Sequence, residues 1–366
     1  MASETAGARR EELTRLVMAA APTPFWLDRP DAPPAREPLR GEESCDLAVV
    51  GGGFGGLWAA LLAKEANPGR SVVLIEGNRV GWAASGRNGD FCEASLTHGA
   101  ANGRKRFGDE FGTLQWLGLE NLDAIEAAIG RYGIDCDFER AGSIIVATED
   151  YQAADLRAAA GTTFLDTEAV RAEVNSPTYL AGSWDKEGSA GVQPARLAWG
   201  LAGACERLGV RIAERTPATG LASDADGVVV RTRHGVLRAF FTTFPQLEGI
   251  GFSHRWGGAI DTCTRFCAFF GTAHRGRVAY ALGYTGLGVA ASRFGARVML
   301  DLLTGEPTEL TRLKMVRTRP LPFPPEPLAY LGVQATRSSL ARADRQAGRR
   351  NLWLRALDAA GLGFDS

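Results

Sequence analysis

Three glycines at a fixed spacing are the residues with the clearest binding chemistry in this 366-residue sequence. Gly51, Gly53 and Gly56 form a G-x-G-x-x-G between an apolar run, DLAVV, and a helix-like run, LWAALLAKEA. A second apolar run, SVVLIE, ends on Glu76, 20 residues beyond Gly56. In a strand–helix–strand unit, such glycines let phosphates approach the backbone at a helix N-terminus, while the carboxylate accepts hydrogen bonds from a ribose. The pattern predicts an FAD or NAD site; a turn that binds nothing is the alternative.

Two further glycine-rich loops help to decide between these dinucleotides. GWAASGRNGDF (81–91) follows the second strand, and its small residues and donors can hold the far phosphate and reach a flavin ring. GYTGLG (283–288) stands at a strand end and opens another helix. Its backbone N–H groups could stabilise the negative charge of a reduced flavin at the pyrimidine edge. The loop at 283–288 alone is more often an ordinary helix start, but the three loops together favour FAD. An NAD-dependent dehydrogenase rests on the first motif only.

With these loops in this order, the chain resembles the FAD-dependent amino-acid and amine oxidase superfamily, and most of all its γ-glutamylputrescine oxidoreductase branch. The resemblance runs from about Phe25 to the C-terminus. It implies an enzyme that oxidises the C–N bond of a small-molecule amine or amino acid by hydride transfer to flavin N5, with oxygen as acceptor. The stretches that carry it are FWLD (25–28), DLAVVGGGFGGLWAALLA (46–63), LIEGNRVGWAASGRNG (74–89), HRWGGAID (254–261) and GYTGLGVAASRFG (283–295).

The resemblance also implies the fold, an α/β chain with a Rossmann-like βαβ FAD-binding domain and a second, α+β substrate domain that is truncated. The expected parts are an N-terminal helix and extended arm (1–43), three FAD-binding segments (44–134, 181–239 and 263–305), two substrate-domain segments (135–180 and 240–262), and a C-terminal strap and helix (306–366).

By the same resemblance, all three loops supply residues to the site. The expected cofactor-binding residues are Gly51, Gly53, Phe54, Gly55, Gly56, Glu76, Gly77, Ser85, Gly86, Arg87, Asn88, Gly89, Gly283, Gly286, Leu287 and Gly288. The candidate substrate-side or catalytic groups are His254, Arg265 and Tyr284. Arg265 could hold a substrate carboxylate through two parallel hydrogen bonds, although a structural ion pair is an equal alternative.

One departure from the family lies beside the flavin loop. The family usually has two glycines after its SGRN-like stretch, and here the second of them is Asp90. A carboxylate at this place would disfavour a reduced, anionic flavin or crowd the backbone. A side chain that points to solvent would do neither, and the sequence leaves both interpretations open.

A larger departure lies at the join within GVLRAFFTTFP (235–245). A strand-like segment runs into a helix-like one with no Gly, Pro, Asn or Asp between Leu237 and Pro245, where a turn would be expected. The family has several strands of the substrate-domain sheet at this point. We therefore expect an internal deletion at Ala239–Phe240, with a subfamily that evolved a short loop as the alternative.

The expected deletion has physical consequences. Without the missing strands, apolar surface would be exposed on the strand at 143–147 and on Phe240, Phe241 and Phe244. The glycine loops remain, so weak FAD binding is expected, whereas a closed, water-excluding site is doubtful. The sequence thus favours an FAD-dependent oxidoreductase, with an inactive or weakly FAD-binding remnant of one as the alternative.

Composition narrows the classes of partner. With 45% hydrophobic and 23% charged residues and a net charge of −1, the chain is an ordinary globular protein without an electrostatic footprint for nucleic acid or a membrane surface. Six cysteines without paired spacing and the polar start MASETAGARREE indicate reduced thiols in the cytoplasm. Four scattered histidines give no reason to expect a metal site.

Overall fold

The computed structural model describes residues 18–40, 43, 45–158, 161–218, 221–223, 228–230 and 261–359. Besides two short 3₁₀ helices, Ala84–Gly86 and Gly108–Glu110, the described chain contains the following helices and strands. In chain order these are β1 (Leu47–Val50), α1 (Phe54–Ala66), β2 (Val72–Ile75), β3 (Phe91–Glu93), α2 (Ala100–Phe107), α3 (Phe111–Tyr132), β4 (Ser143–Ala147), α4 (Asp150–Ala158), β5 (Thr163–Leu165), α5 (Thr167–Glu173), β6 (Ala181–Asp185), β7 (Ser189–Gly191), α6 (Pro194–Arg207), β8 (Arg211–Ala213), β9 (Leu221–Ser223), β10 (Val228–Val230), β11 (Phe269–Ala273), β12 (Val278–Leu282), α7 (Gly288–Thr304), α8 (Glu309–Arg312), α9 (Lys314–Arg317), α10 (Leu328–Asp344) and α11 (Leu352–Ala359).

A small three-stranded parallel sheet contains both strands of the predicted strand–helix–strand unit. β2 lies between β1 and β8 and is parallel to both, with Leu47 opposite Val72 and Val73 opposite Arg211. Helix α1 connects β1 to β2 and packs between α6 and α7. Its Leu57 and Leu61 are fully buried, as expected for a helix covered on more than one side. The predicted strand–helix–strand unit is therefore confirmed.

Helix α7 joins the two larger hydrophobic clusters of the described chain. Ala290 and Ala296 belong to the cluster around α1 and α6, whereas Phe294 and Val298 belong to a second cluster with α3, β11 and α9. The rings of Phe294 and Phe270 meet edge to face with centroids 6.0 Å apart. Helix α7, which follows the third glycine loop, thus packs against α1, which follows the first loop.

A separate antiparallel sheet has the strand order β4-β6-β5. Its buried cluster is small and consists of Leu165, Val170 and Tyr179. Because β6 pairs with both neighbours, this sheet continues past residue 180, where the sequence placed the return to the FAD-binding domain. β4 is an edge strand in this part of the structure, and its Ile145 is 65% exposed, which confirms the expected apolar exposure at 143–147.

Three further stretches complete the described structure. Strand β5 is a short strand between helices α4 and α5. The segment containing Cys263 and Cys267 is irregular, and β11 begins at Phe269. The C-terminal segment forms two helices, α10 and α11, where the sequence predicted a strap and one helix. Ala347 and Gly348 have positive φ angles, and the chain therefore leaves the helical path between the two helices. The join at Ala239–Phe240 lies outside the described residues.

Three other expectations can be compared with the structure. All six cysteines are free, and every one except Cys45 is buried. Burial raises the pKa of Cys92, Cys136 and Cys205 to about 12, so these thiols are not activated. In the described ranges, no helix is long and apolar enough to cross a membrane, and no group of three or more His, Cys, Asp and Glu side chains could hold a metal ion.

Helix α3 offers a matched test of packing. A Cβ at Gly118 would overlap the carbonyl oxygen of Ala94, whereas a Cβ at Gly130 on the same helix would meet nothing within 4 Å. We expect Gly118→Ala to lower the free energy of unfolding by about 1–3 kcal/mol through overpacking. Gly130→Ala should raise it by about 0.5–1 kcal/mol through helix propensity. Urea unfolding measures both, and equal effects of the two changes would contradict the packing.

Candidate cofactor site

The first glycine loop places an N-terminus of a helix against the second loop. Gly51 has a φ of 107°, which disfavours a side chain, and a Cβ at Gly56 would overlap the Gly51 carbonyl oxygen. The N-cap residue of α1 is Gly53, which has no side chain to cap the helix. The Phe54 N–H in the first turn donates instead to the Ser85 hydroxyl oxygen over 3.0 Å. The loop therefore has the shape and the partial positive charge that suit a pyrophosphate.

The carboxylate of Glu76 is fixed beside this loop by backbone donors. It accepts one hydrogen bond from the Gly52 N–H and another from the Asn78 N–H, each over 2.7 Å. The Glu76 N–H in turn donates to the Ala213 carbonyl of β8 over 2.8 Å. Two backbone hydrogen bonds leave further lone pairs on the carboxylate, and ribose hydroxyls are suitable donors to them. Together with the tight Gly51–Gly56 turn, this arrangement fits the ADP half of FAD.

A second carboxylate, missed in the sequence analysis, holds the loop that follows Glu76. Glu214 is 1% exposed and accepts hydrogen bonds from the Val80 N–H over 2.8 Å and the Arg36 N–H over 2.7 Å. The Arg79 Nε lies 3.0 Å from Glu214 Oε2, the oxygen that accepts from the Arg36 N–H. Glu214 therefore ties the N-terminal arm to residues 77–80, as expected for a buried charge that must be paired. Its position directly after the buried strand β8 was the available signal.

The second loop is held together by Asn88. Its side-chain amide donates to the Ser85 carbonyl over 2.9 Å, and its side-chain oxygen accepts from the Asp90 N–H over 3.0 Å. The Trp26 Nε1 donates to the Asn88 carbonyl over 2.9 Å and so attaches the N-terminal arm to this loop. The Arg87 guanidinium stacks on the Trp82 ring, 4.5 Å from its centroid. The structure thus places Ser85 at the helix α1 N-terminus and Arg87 on Trp82.

Asp90 has a conformation that explains the glycine usual in the family. Its φ is 69°, in the left-handed region that glycine adopts without cost. Its side chain is half-buried, and burial raises the pKa of its carboxyl. The side chain is thus neither fully in solvent nor part of the core.

The third loop is held by a carboxylate as well. Asp261 accepts a hydrogen bond from the Gly283 N–H through its side chain, over 2.5 Å, and one from the Thr285 N–H through its carbonyl, over 2.9 Å. Gly283 and Gly286 have φ angles of 72° and 92°, and a Cβ built on Gly286 would meet nothing within 4 Å. The Gly283 and Thr285 N–H groups are paired within the protein, so the open backbone at Gly286 is the part of this loop that a planar ring could approach.

The proposed substrate-side residues lie differently from what their spacing suggested. The Arg265 guanidinium is buried and donates to the carbonyl oxygens of Cys267, Ala268, Met315 and Thr318 and to the Thr318 hydroxyl. This geometry favours the structural interpretation, with carbonyl acceptors in place of a carboxylate. His254 lies outside the described residues.

The Tyr284 hydroxyl is directed towards helix α7. A Cβ at Gly295 would overlap this hydroxyl oxygen, and burial raises the pKa of Tyr284. Among the described residues it has no hydrogen-bond partner. Within the described ranges, no hydrogen bond therefore joins Tyr284 to Arg265, whose own partners are carbonyl oxygens and the Thr318 hydroxyl.

The comparison with protein families agrees with this geometry. Residues 46–241, more than half of the chain, match the family described as DAO, FAD dependent oxidoreductase. The chain belongs to this family, so its lineage is that of FAD-dependent enzymes. The predicted resemblance, the FAD-binding fold and FAD as cofactor are confirmed.

Two curated oxidoreductases are similar to about half of this chain. The chain is 36% identical over 208 residues to γ-glutamylputrescine oxidoreductase of Escherichia coli (strain K12), which covers 54% of this chain and 47% of that protein. It is 31% identical over 206 residues to the probable oxidoreductase OrdL of Haemophilus influenzae, covering 53% and 47%. The matched part is thus about half the length of these curated relatives.

Solved structures support the fold alone. An L-amino acid deaminase from Proteus vulgaris lacking its specific insertion sequence gives a TM-score of 0.59 at 15% identity and covers 78% of this chain and 97% of that one. Glycine oxidase from Geobacillus kaustophilus gives a TM-score of 0.50 at 15% identity, covering 75% and 99%.

The environment of Arg265 predicts a stability effect. Arg265→Lys retains the charge but cannot donate in all the directions of the guanidinium, so buried carbonyls lose their partners. We expect the free energy of unfolding to fall by about 2–3 kcal/mol. Arg319→Lys, at an exposed position nearby, is the control and should change it little. If R265K unfolded like the wild type but lost binding of a carboxylate substrate, the alternative role would be correct.

Proposed function

We propose that this chain is an FAD-dependent oxidoreductase that oxidises the C–N bond of an amine or amino acid. The proposal rests on one observation: the Glu76 carboxylate accepts a hydrogen bond from the Gly52 N–H, beside the N-terminus of the helix that begins at Phe54. In the proposed site, the first loop and Glu76 hold the ADP half, residues 85–89 lie along the phosphates and ring, and residues 283–288 face the pyrimidine edge. When bound, FAD supplies the acceptor for a hydride from the carbon next to nitrogen.

The substrate and acceptor are extensions of this proposal. The relative from Escherichia coli is named for γ-glutamylputrescine, and a substrate of that kind, a small molecule with an amine, is proposed for this chain. Molecular oxygen is proposed as the acceptor. The six free cysteines are compatible with a proposed cytoplasmic location.

A remnant that binds FAD weakly or not at all is the second candidate, and three observations favour it. The match to the E. coli relative spans 47% of that protein, and the family match ends at residue 241, two residues beyond Ala239. The edge strand β4 also exposes Ile145. An internal loss of substrate-domain strands would account for all three, and it would leave the site less well closed against water.

FAD retention separates an FAD-binding protein from an empty scaffold. We expect the protein, after addition of FAD and gel filtration, to keep a structured visible flavin spectrum. Glu76→Gln places an amide donor where two backbone N–H groups need acceptors, and it should raise the Kd for FAD about 10- to 100-fold. Glu149→Gln makes the same charge change at an exposed position and should leave the Kd unchanged. A colourless wild-type protein would contradict the proposal.

Loss of the visible flavin band on addition of an amine separates an enzyme from a remnant. We expect this bleaching when amines are added in the absence of oxygen, because no acceptor then removes the electrons. Reappearance of the band on admission of air would support oxygen as the acceptor. A protein that retains FAD but is bleached by none of a panel of amines and amino acids would be an inactive remnant.

A further inference from the structure

Residues 24–40 of the N-terminal arm are attached to the cofactor half at two places. At one of them, the Arg36 N–H donates to the Glu214 carboxylate over 2.7 Å. The Leu39 N–H donates to the Thr216 hydroxyl oxygen over 3.0 Å. Both acceptors follow strand β8, which lies beside β2 in the parallel sheet. The other end of this segment contacts the second glycine loop, so the arm bridges the end of β8 and that loop.

The contact with the second loop consists of one hydrogen bond and one apolar contact. The half-buried Trp26 donates from its Nε1 to the Asn88 carbonyl over 2.9 Å. The Leu27 side chain lies against Gly86, because a Cβ built on Gly86 would be only 2.8 Å from the Leu27 Cδ2. Two consecutive residues of the arm therefore hold the loop at two points of its backbone.

Gln193 fixes the position of Trp26. It is 5% exposed, and its Nε2 donates to the Trp26 carbonyl over 3.2 Å. Its side-chain oxygen accepts from the Arg196 N–H over 2.8 Å as the N-cap of α6, and its own N–H donates to the Cys136 carbonyl over 2.7 Å. Because the oxygen caps the helix, the amide nitrogen is the part left for Trp26. The arm is thereby attached to a helix of the large core.

From Asn88 the contacts continue to the first glycine loop. The Asn88 side-chain amide donates to the Ser85 carbonyl over 2.9 Å, and the Ser85 hydroxyl accepts from the Phe54 N–H over 3.0 Å. Residues 85–89 are those proposed to lie along the phosphates and the ring. Glycine-rich segments lose much conformational entropy on folding, so anchors from outside the loop contribute to its order. Trp26 is such an anchor.

We propose that Trp26 and Gln193 are positioning residues of the cofactor site, which hold the second loop in the shape that binds FAD. They act through Asn88 and Ser85 and are not assigned a contact with FAD. The inference rests on the proposed function, because it concerns the same site. It makes the affinity for FAD depend on the docked arm. The dependence is reciprocal, since a ligand that binds the ordered loop must also stabilise the arm that orders it.

Two matched tryptophan variants test the first half of this coupling. Trp26→Phe removes an indole N–H that donates to a loop carbonyl, and Trp184→Phe removes one that donates to the Ala141 carbonyl over 3.1 Å at the small sheet. In titrations of the flavin-free full chain, Trp26→Phe should raise the Kd for FAD about 3- to 10-fold. Trp184→Phe should change it less than about 2-fold. Urea unfolding without FAD should show similar small losses for both variants, because each loses one hydrogen bond.

Hydrogen exchange of the wild type with and without FAD tests the second half and needs no variant. Peptides that contain the Arg36 and Leu39 N–H groups should exchange at least about 3-fold more slowly when FAD is bound. Peptides from β4, β5 and β6 are the internal control and should exchange at the same rate in both samples. This measurement remains decisive if Trp26→Phe fails to fold.

The outcomes separate this inference from the proposed function. Equal Kd values for Trp26→Phe and Trp184→Phe, or exchange in the arm that FAD leaves unchanged, would overturn the inference while FAD binding by the wild type stands. A wild type that binds no FAD would refute both. FAD binding that depends on Trp26, in a protein that no amine bleaches, would uphold the positioning role and refute the proposed enzyme activity.

Discussion

The close approach of Gly56 to the Gly51 carbonyl is the constraint on which the cofactor half depends. Any side chain at Gly56 would overlap that oxygen, so only glycine lets α1 begin so near the end of β1. This close start of the helix lets the Phe54 N–H donate to the Ser85 hydroxyl and the Gly52 N–H donate to the Glu76 carboxylate. The positions of the first glycine loop and of the Glu76 carboxylate, the groups proposed to hold phosphate and ribose, are thus both tied to this backbone contact.

Three carboxylates fix the loops of the candidate site. The Glu76 carboxylate accepts a hydrogen bond from the Gly52 N–H. The Glu214 carboxylate accepts one from the Val80 N–H, and the Asp261 carboxylate accepts one from the Gly283 N–H. Each pairs a loop N–H with an acceptor that does not depend on a ligand, so the loops are shaped before the cofactor arrives. Such preorganisation reduces the ordering cost of binding. It also explains why glycine-rich segments, which lose the most conformational entropy on folding, can be ordered here.

The sequence predicted those parts of the site whose geometry is local. The strand–helix–strand unit, the glycine loops and Glu76 follow from short-range spacing. The burial of Arg265 does not, because its carbonyl acceptors at Met315 and Thr318 come from 50 or more residues away. The extension of the β4-β6-β5 sheet past residue 180 was likewise hidden, because strand pairing is not local.

The cofactor half and the small sheet are separable in their packing, and this bears on what a loss of strands would do. The cradle is built from β1, α1, β2, β8 and α7, whose residues fill the two larger clusters, whereas β4, β5 and β6 bury only the cluster around Val170. The β3–β7 ribbon contributes Cys92 and Ala190 to the larger core. Loss of further strands next to the small sheet would therefore leave intact the packing that orients the glycine loops. We expect closure against water, more than cofactor binding, to be the step that such a loss would affect first.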